Sequence, residues 1–148
     1  MARLLHFTDM HLRINQPGTA SDPLRLSRSM PDALDRLAEQ IKELTPDVLV
    51  MSGDLLDVPD EVQDGGTPDD RSHEEWVESA KADFQLIRDW FDATAVPYVV
   101  VPGNHDLEGA FADVFEPPPK PSAMSDMRPM ARTASLSRSA SVIRTRRV

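Results

Sequence analysis

The sequence predicts an α/β fold on a parallel sheet, and three observations carry that prediction. Short, largely apolar runs occur at Arg3-Leu4-Leu5-His6-Phe7, Val48-Leu49-Val50-Met51 and Tyr98-Val99-Val100-Val101. Two long stretches of helical periodicity lie between them. Each run gives way to a polar cluster: Thr8-Asp9, Ser52-Gly53-Asp54 and Gly103-Asn104-His105-Asp106. Strands without polar alternation are buried on both faces, as in parallel sheets whose crossovers are helices. In such sheets, sites assemble at the carboxyl ends of the strands.

The elements follow in order. Residues 3–7 read as a buried strand leading into a loop. Residues 12–30, with Pro17, Gly18, Asp22 and Pro23, read as a long loop. Pro31 suits a first helical turn, and Leu34, Leu37, Ala38, Ile41 and Leu44 recur at helical spacing, so 31–45 is expected to be an amphipathic helix. Pro46-Asp47 stops it, and the second strand follows. Residues 58–71 are rich in Pro, Asp and Gly, lack an apolar period, and read as a surface loop. Ser72 and Glu75 have the spacing of a capping box. Trp76, Ala80, Phe84, Ile87 and Phe91 then mark a helix over about 73–93 with a core-facing stripe. After the third strand, a short helix is expected over 108–115.

From Pro117 the composition changes. Pro117-Pro118-Pro119-Lys120-Pro121 breaks secondary structure, and 122–148 is rich in Ser, Arg, Ala and Met without a period. The expected organisation is a domain over 1–116 and a disordered tail over 117–148. Residues 1–117 hold 9 Lys/Arg against 24 Asp/Glu, and residues 118–148 hold 7 against one. The acidic body argues against broad electrostatic binding of nucleic acid and suits recruitment of divalent cations. There are no cysteines, so a metal here must use His, Asp, Glu or Asn. No apolar run is long enough to span a membrane, and the first residues lack the apolar stretch of a secretory signal, so a cytoplasmic location is the default.

The strand-end clusters are the candidate site. Asp9 and His11, two residues apart, can turn toward one metal. Asp54 can present two oxygens to two cations, with Gly53 allowing a sharp turn. Asn104 offers an amide oxygen, His105 an imidazole, and Asp106 a further carboxylate. Mixed oxygen and imidazole donors suit Mn, Fe or Zn. Each cluster alone is commonplace in solvated loops; their order at the ends of three successive strands makes the joint signal.

The series Phe7-Thr8-Asp9-Met10-His11, Gly53-Asp54-Leu55-Leu56-Asp57 and Gly103-Asn104-His105-Asp106 resembles the first three signature blocks of the calcineurin-like metallophosphoesterases. The resemblance spans about residues 1–116 and implies the N-terminal β-α-β-α-β half of an αββα sandwich with a dinuclear metal centre. It implies that Asp9 and His11 bind the first metal, that Asp54 bridges both, and that Asn104 binds the second. It gives His105 the phosphate and the proton for the leaving group, Asp106 the orientation or polarisation of His105, and Asp57 a supporting place outside the ligand set. Two cations about 3.5–4 Å apart can clamp a phosphoryl oxygen, and a bound ion lowers the pKa of its water toward roughly 7.

The pattern also needs later histidines, and none follows His105. His6 is expected to be packed or supporting rather than a ligand, and His73 to face solvent. The second metal position is therefore expected to be weak, and the remaining sheet to expose an apolar face open to self-association or a partner. Three explanations stand: a truncated or frameshifted product, which the change in composition favours; completion by another chain; or a degenerate relative that binds without catalysing. The expected function is metal-dependent hydrolysis of a small phosphoester, such as a cyclic nucleotide, by a phosphodiesterase that is weak or inactive alone. The alternatives are a subunit of the DNA-repair exonuclease type and a non-catalytic binding module.

Overall fold

The computed structural model describes residues 2–18, 25–116 and 142–144. Strand β1 (Leu4–Phe7) is followed by a 3-10 turn (Ser27–Ser29), helix α1 (Met30–Leu44), strand β2 (Val48–Ser52) and a short helix α2 (Asp60–Gln63). Helix α3 (His73–Thr94), strand β3 (Tyr98–Val101), helix α4 (Glu108–Phe115) and strand β4 (Val142–Arg144) complete the order. The sheet runs β1-β2-β3-β4. β1, β2 and β3 are parallel, with Leu5 opposite Leu49 and Leu49 opposite Tyr98, whereas β4 pairs antiparallel with β3. The expected order of strands and helices is thus present. The expected tail lies outside the described residues, apart from the short stretch that forms β4.

Local chemistry sets the boundaries. Pro31 sits in the first turn of α1, where a missing N–H costs nothing. The helix closes at Thr45, whose left-handed backbone returns its N–H to the Ile41 carbonyl at 2.9 Å. The capping box of α3 is formed: Glu75 N donates to Ser72 Oγ at 3.2 Å, and Ser72 N donates to Glu75 Oε2 at 2.8 Å.

One sheet face packs on the helices. Leu5 and Phe7 of β1, Leu49 and Met51 of β2, and Tyr98 and Val100 of β3 join a core with Trp76, Ala80, Phe84, Ile87 and Phe91 of α3. Phe91 stacks on Phe7 at 5.8 Å and on Tyr98 at 4.7 Å, so one ring ties the helix to two strands. Phe91→Ala is expected to cost about 3–5 kcal/mol, read from urea unfolding, because it removes a fully buried ring from its contacts with Phe7, Trp90 and Tyr98. The alternate residues lie on the opposite face, where Val48, Val50, Val99 and Val101 are half-buried and Leu4 is 62% exposed.

Two expectations need correction, and a third is narrowed. Residues 58–71 are not simply a surface loop: Val58 and Val62 are buried, the latter on α2, and fill the core beside Leu55 and Leu56. The segment after β1 is likewise packed, with Leu12, Arg13 and Gln16 buried. Asp83, buried in α3, accepts from the backbone N–H of Ile14, Asn15 and Gln16 at 3.1, 2.7 and 3.2 Å and pins that segment in place. His6 is not packed in the core; it is exposed on the far face, and its Nε2 hydrogen-bonds Ser52 Oγ at 2.6 Å.

Candidate metal centre

Past their last ladder residues, β1 and β2 stay paired. Asp9 N donates to Gly53 O at 3.3 Å, His11 N to Asp54 O at 2.9 Å and Leu12 N to Leu55 O at 2.9 Å. Gly53 N reaches back to Val101 O at 2.8 Å, so β3 is tied in too. These bonds bring residues from three separate strand ends to one place.

The backbone there is unusual. Among the described residues, five non-glycine positions have positive φ: Asp9 at 55°, His11 at 47°, Thr45 at 45°, Asp54 at 48° and Ala95 at 56°. Thr45 and Ala95 are helix C-caps, where the left-handed conformation satisfies terminal carbonyls. The other three are among the four residues the sequence singles out as ligands; Asn104, the fourth, does not share the conformation. Each such residue costs of order 1–3 kcal/mol, and outliers of this kind cluster at functional sites.

Their side chains converge. One ligand atom from each of Asp9, His11 and Asp54 can be chosen so that all lie within 4.8 Å of one another. His11 Nε2 stands 4.0 Å from Asp9 Oδ1 and 3.8 Å from Asp54 Oδ2. Those gaps are too long for hydrogen bonds and near the spread of donors around one ion with bonds of about 2.0–2.2 Å. The other ring nitrogen, His11 Nδ1, is buried without a hydrogen-bond partner and faces Asp57 Oδ1 at 4.0 Å. A carboxylate behind the non-ligating nitrogen is how metal-binding histidines are oriented. The donor set therefore fits a divalent cation, with Asp57 behind the His11 ring and outside hydrogen-bond range of it.

The sequence reading missed two arginines at Asp57. Arg13 Nη1 lies 3.5 Å from Asp57 Oδ2, and Arg25 Nη1 donates to Asp57 Oδ1. The guanidinium of Arg25 also places Nη2 3.5 Å from His105 Nε2. No local pattern marks a pair 32 residues apart. The one available signal was the need of a buried Asp57 for cationic company.

The third strand end carries Asn104, His105 and Asp106. Asn104 is exposed at the turn. The His105 ring packs edge-on against His11 with centroids 5.3 Å apart, and its backbone N–H donates to Asp54 Oδ1 at 3.0 Å. Asp106, expected to orient or polarise His105, makes its hydrogen bonds to backbone. Its carboxylate accepts from the backbone N–H groups of Leu55 at 3.0 Å, Leu56 at 2.8 Å and Gly103 at 2.8 Å. It clamps the β3 loop to the β2 loop and bears on His105 through the backbone. Burial pushes its carboxyl up to about 6, against the pull of the three N–H donors and with a further push from the Asp54 charge.

The family model for the calcineurin-like phosphoesterases matches residues 2–137. The chain belongs to that family, a class of metal-dependent phosphoester hydrolases. Among the described residues, no helix is long and apolar enough to cross a membrane.

Proposed function

We propose that the chain is a phosphodiesterase for a small phosphodiester such as a cyclic nucleotide, with Asp9, His11 and Asp54 as the principal metal ligands. The convergence of these three side chains from left-handed backbone positions carries the reading. Asp54 and Asn104 would hold a second, weaker ion. When bound, divalent metal supplies Lewis-acid stabilisation of the phosphoryl group and a hydroxide near neutral pH.

The chain's own residues do the rest. Asp57 offers a carboxylate behind the His11 ring, on the side of Nδ1. His105, beside His11 and partly open, is placed to give a proton to the departing oxygen, the task for which a positioned histidine is most often used. Asp106 is a positioning residue that holds the His105 loop against Asp54. The acidic body, with 24 Asp/Glu against 9 Lys/Arg over residues 1–117, favours a small substrate over a polyanion.

The test is hydrolysis of bis(p-nitrophenyl) phosphate by the purified chain with Mn²⁺. Turnover that requires Mn²⁺, is removed by EDTA and falls to background in His11→Ala supports the reading. A folded chain with no Mn²⁺-dependent turnover overturns it. Faster turnover of the corresponding monoester would keep the hydrolase and discard the diester.

A further inference from the structure

Asp57 is a single carboxylate facing two guanidinium groups, and the two are not equivalent. Arg13 is committed elsewhere: its side chain is 4% exposed, Nε and Nη2 both donate to Pro17 O, at 3.2 and 2.6 Å, and its guanidinium lies 5.7 Å over the Trp76 ring. Arg25 is 26% exposed at its side chain, and beyond the ion pair with Asp57 its Nη2 faces the His105 ring. Arg13 Nη1 stands 3.5 Å from Asp57 Oδ2, which is left without a hydrogen bond, so Arg25 is the guanidinium that Asp57 holds directly. Asp57 thus holds the more open of the two guanidinium groups at the edge of the metal cluster, with its Nη2 left toward His105.

The contact between Arg25 and His105 points the same way. A guanidinium has only donors, so His105 Nε2 would have to be the acceptor, and 3.5 Å is the far limit for such a bond. Two nitrogens converging at that distance are better satisfied by donating together to a third, anionic group. The His105 ring lies 5.3 Å from that of His11, so such a group would sit beside Asp9, His11 and Asp54.

We propose that Arg25 is a substrate-binding residue that holds a non-bridging phosphoryl oxygen of the phosphodiester beside His105, with Asp57 fixing its guanidinium in place. The inference rests on the hydrolase reading above and adds to it the group that recognises the anion. Arginine suits this because its planar fork matches phosphate oxygens in both charge and geometry. In a body as acidic as this one, such a cation also offsets repulsion of an anionic substrate.

The test uses inorganic phosphate as the probe, titrated calorimetrically into the Mn²⁺-loaded chain, with Mn²⁺ binding measured separately for each variant. Arg25→Gln is expected to keep Mn²⁺ binding and weaken phosphate roughly 10- to 100-fold, the loss of a charge-assisted hydrogen bond. Arg25→Lys, which keeps the charge beside Asp57 but loses the fork, is expected to fall between. It carries the test if Arg25→Gln does not fold: weaker phosphate with Mn²⁺ retained supports the proposal. Unchanged phosphate affinity in variants that still take Mn²⁺ overturns it and leaves Arg25 as a counter-ion for Asp57. Lost Mn²⁺ binding with unchanged phosphate affinity of the remaining loaded sites has the same meaning. A wild-type chain that takes no Mn²⁺ overturns the hydrolase reading itself, and the role of Arg25 with it.

Discussion

Gly103→Ala is expected to break the junction of β2 and β3 and to abolish metal binding. A Cβ at this position would stand 2.2 Å from Asp54 Oδ1, 2.3 Å from Asp54 N and 2.8 Å from Gly53 Cα. Two of those atoms are backbone, so no rotation of a side chain relieves the clash. The strand ends must separate, and separation stretches the bond from His105 N to Asp54 Oδ1 and the one from Gly103 N to Asp106. Overpacking of this kind costs about 1–3 kcal/mol and at times more, a large share of the stability of a small domain. The expected result is a lower urea midpoint together with loss of Mn²⁺ binding by calorimetry. Gly109→Ala is the paired control. Gly109 lies in α4 with nothing within 4 Å of its added Cβ, so Ala there should stabilise by about 0.5–1 kcal/mol. If Gly103→Ala binds Mn²⁺ as wild type does, the close approach of the two loops does not position Asp54.

What the sequence disclosed and what it withheld divide along physical lines. The strands and the long helices were legible because their signals are periodic and local: the stripe from Trp76 to Phe91 and the capping box of Ser72 and Glu75 are read within one element. The candidate ligands were legible because each follows a strand, and the pairing of β1 with β2 carries Asp9 and His11 to Asp54. The packing of 58–71 was not legible. Val58 and Val62 fill a gap between loops instead of lining a long helix face, so they show no period. Asp83 interrupts the apolar stripe of α3, and its partners at Ile14, Asn15 and Gln16 lie 67–69 residues away. Asp106 was legible as a residue beside His105 but not as a clamp between loops. Its neighbour in sequence is His105, but its carboxylate turns to backbone donors 50 and 51 residues earlier. Charge pairs and clamps between distant segments carry no local signal, and in this chain they make up the surroundings of the site.

Asp54→Asn is the substitution expected to remove function while leaving the fold intact. The residue has two duties that the substitution separates. Its Oδ1 accepts from His105 N at 3.0 Å, a structural bond that a carboxamide oxygen can still accept. Its Oδ2 faces His11 Nε2 at 3.8 Å, on the side of the metal cluster. There the charge is what matters, since an amide oxygen is a weaker partner for a divalent ion than a carboxylate. The backbone tolerates the change, because Asn is among the residues that adopt positive φ most readily and Asp54 sits at 48°. Losing a partner that only supports a metal ligand costs about 10–100-fold in affinity, and losing a ligand should exceed that. Asp54→Asn should therefore unfold within about 1 kcal/mol of wild type, take up Mn²⁺ more than roughly 100-fold more weakly, and show no turnover above background. Unfolding by urea, calorimetric titration with Mn²⁺ and the diester assay measure the three separately. A variant that is stable and binds Mn²⁺ as wild type would place the metal away from Asp54, and the shared position of this carboxylate between the loops would then be structural alone.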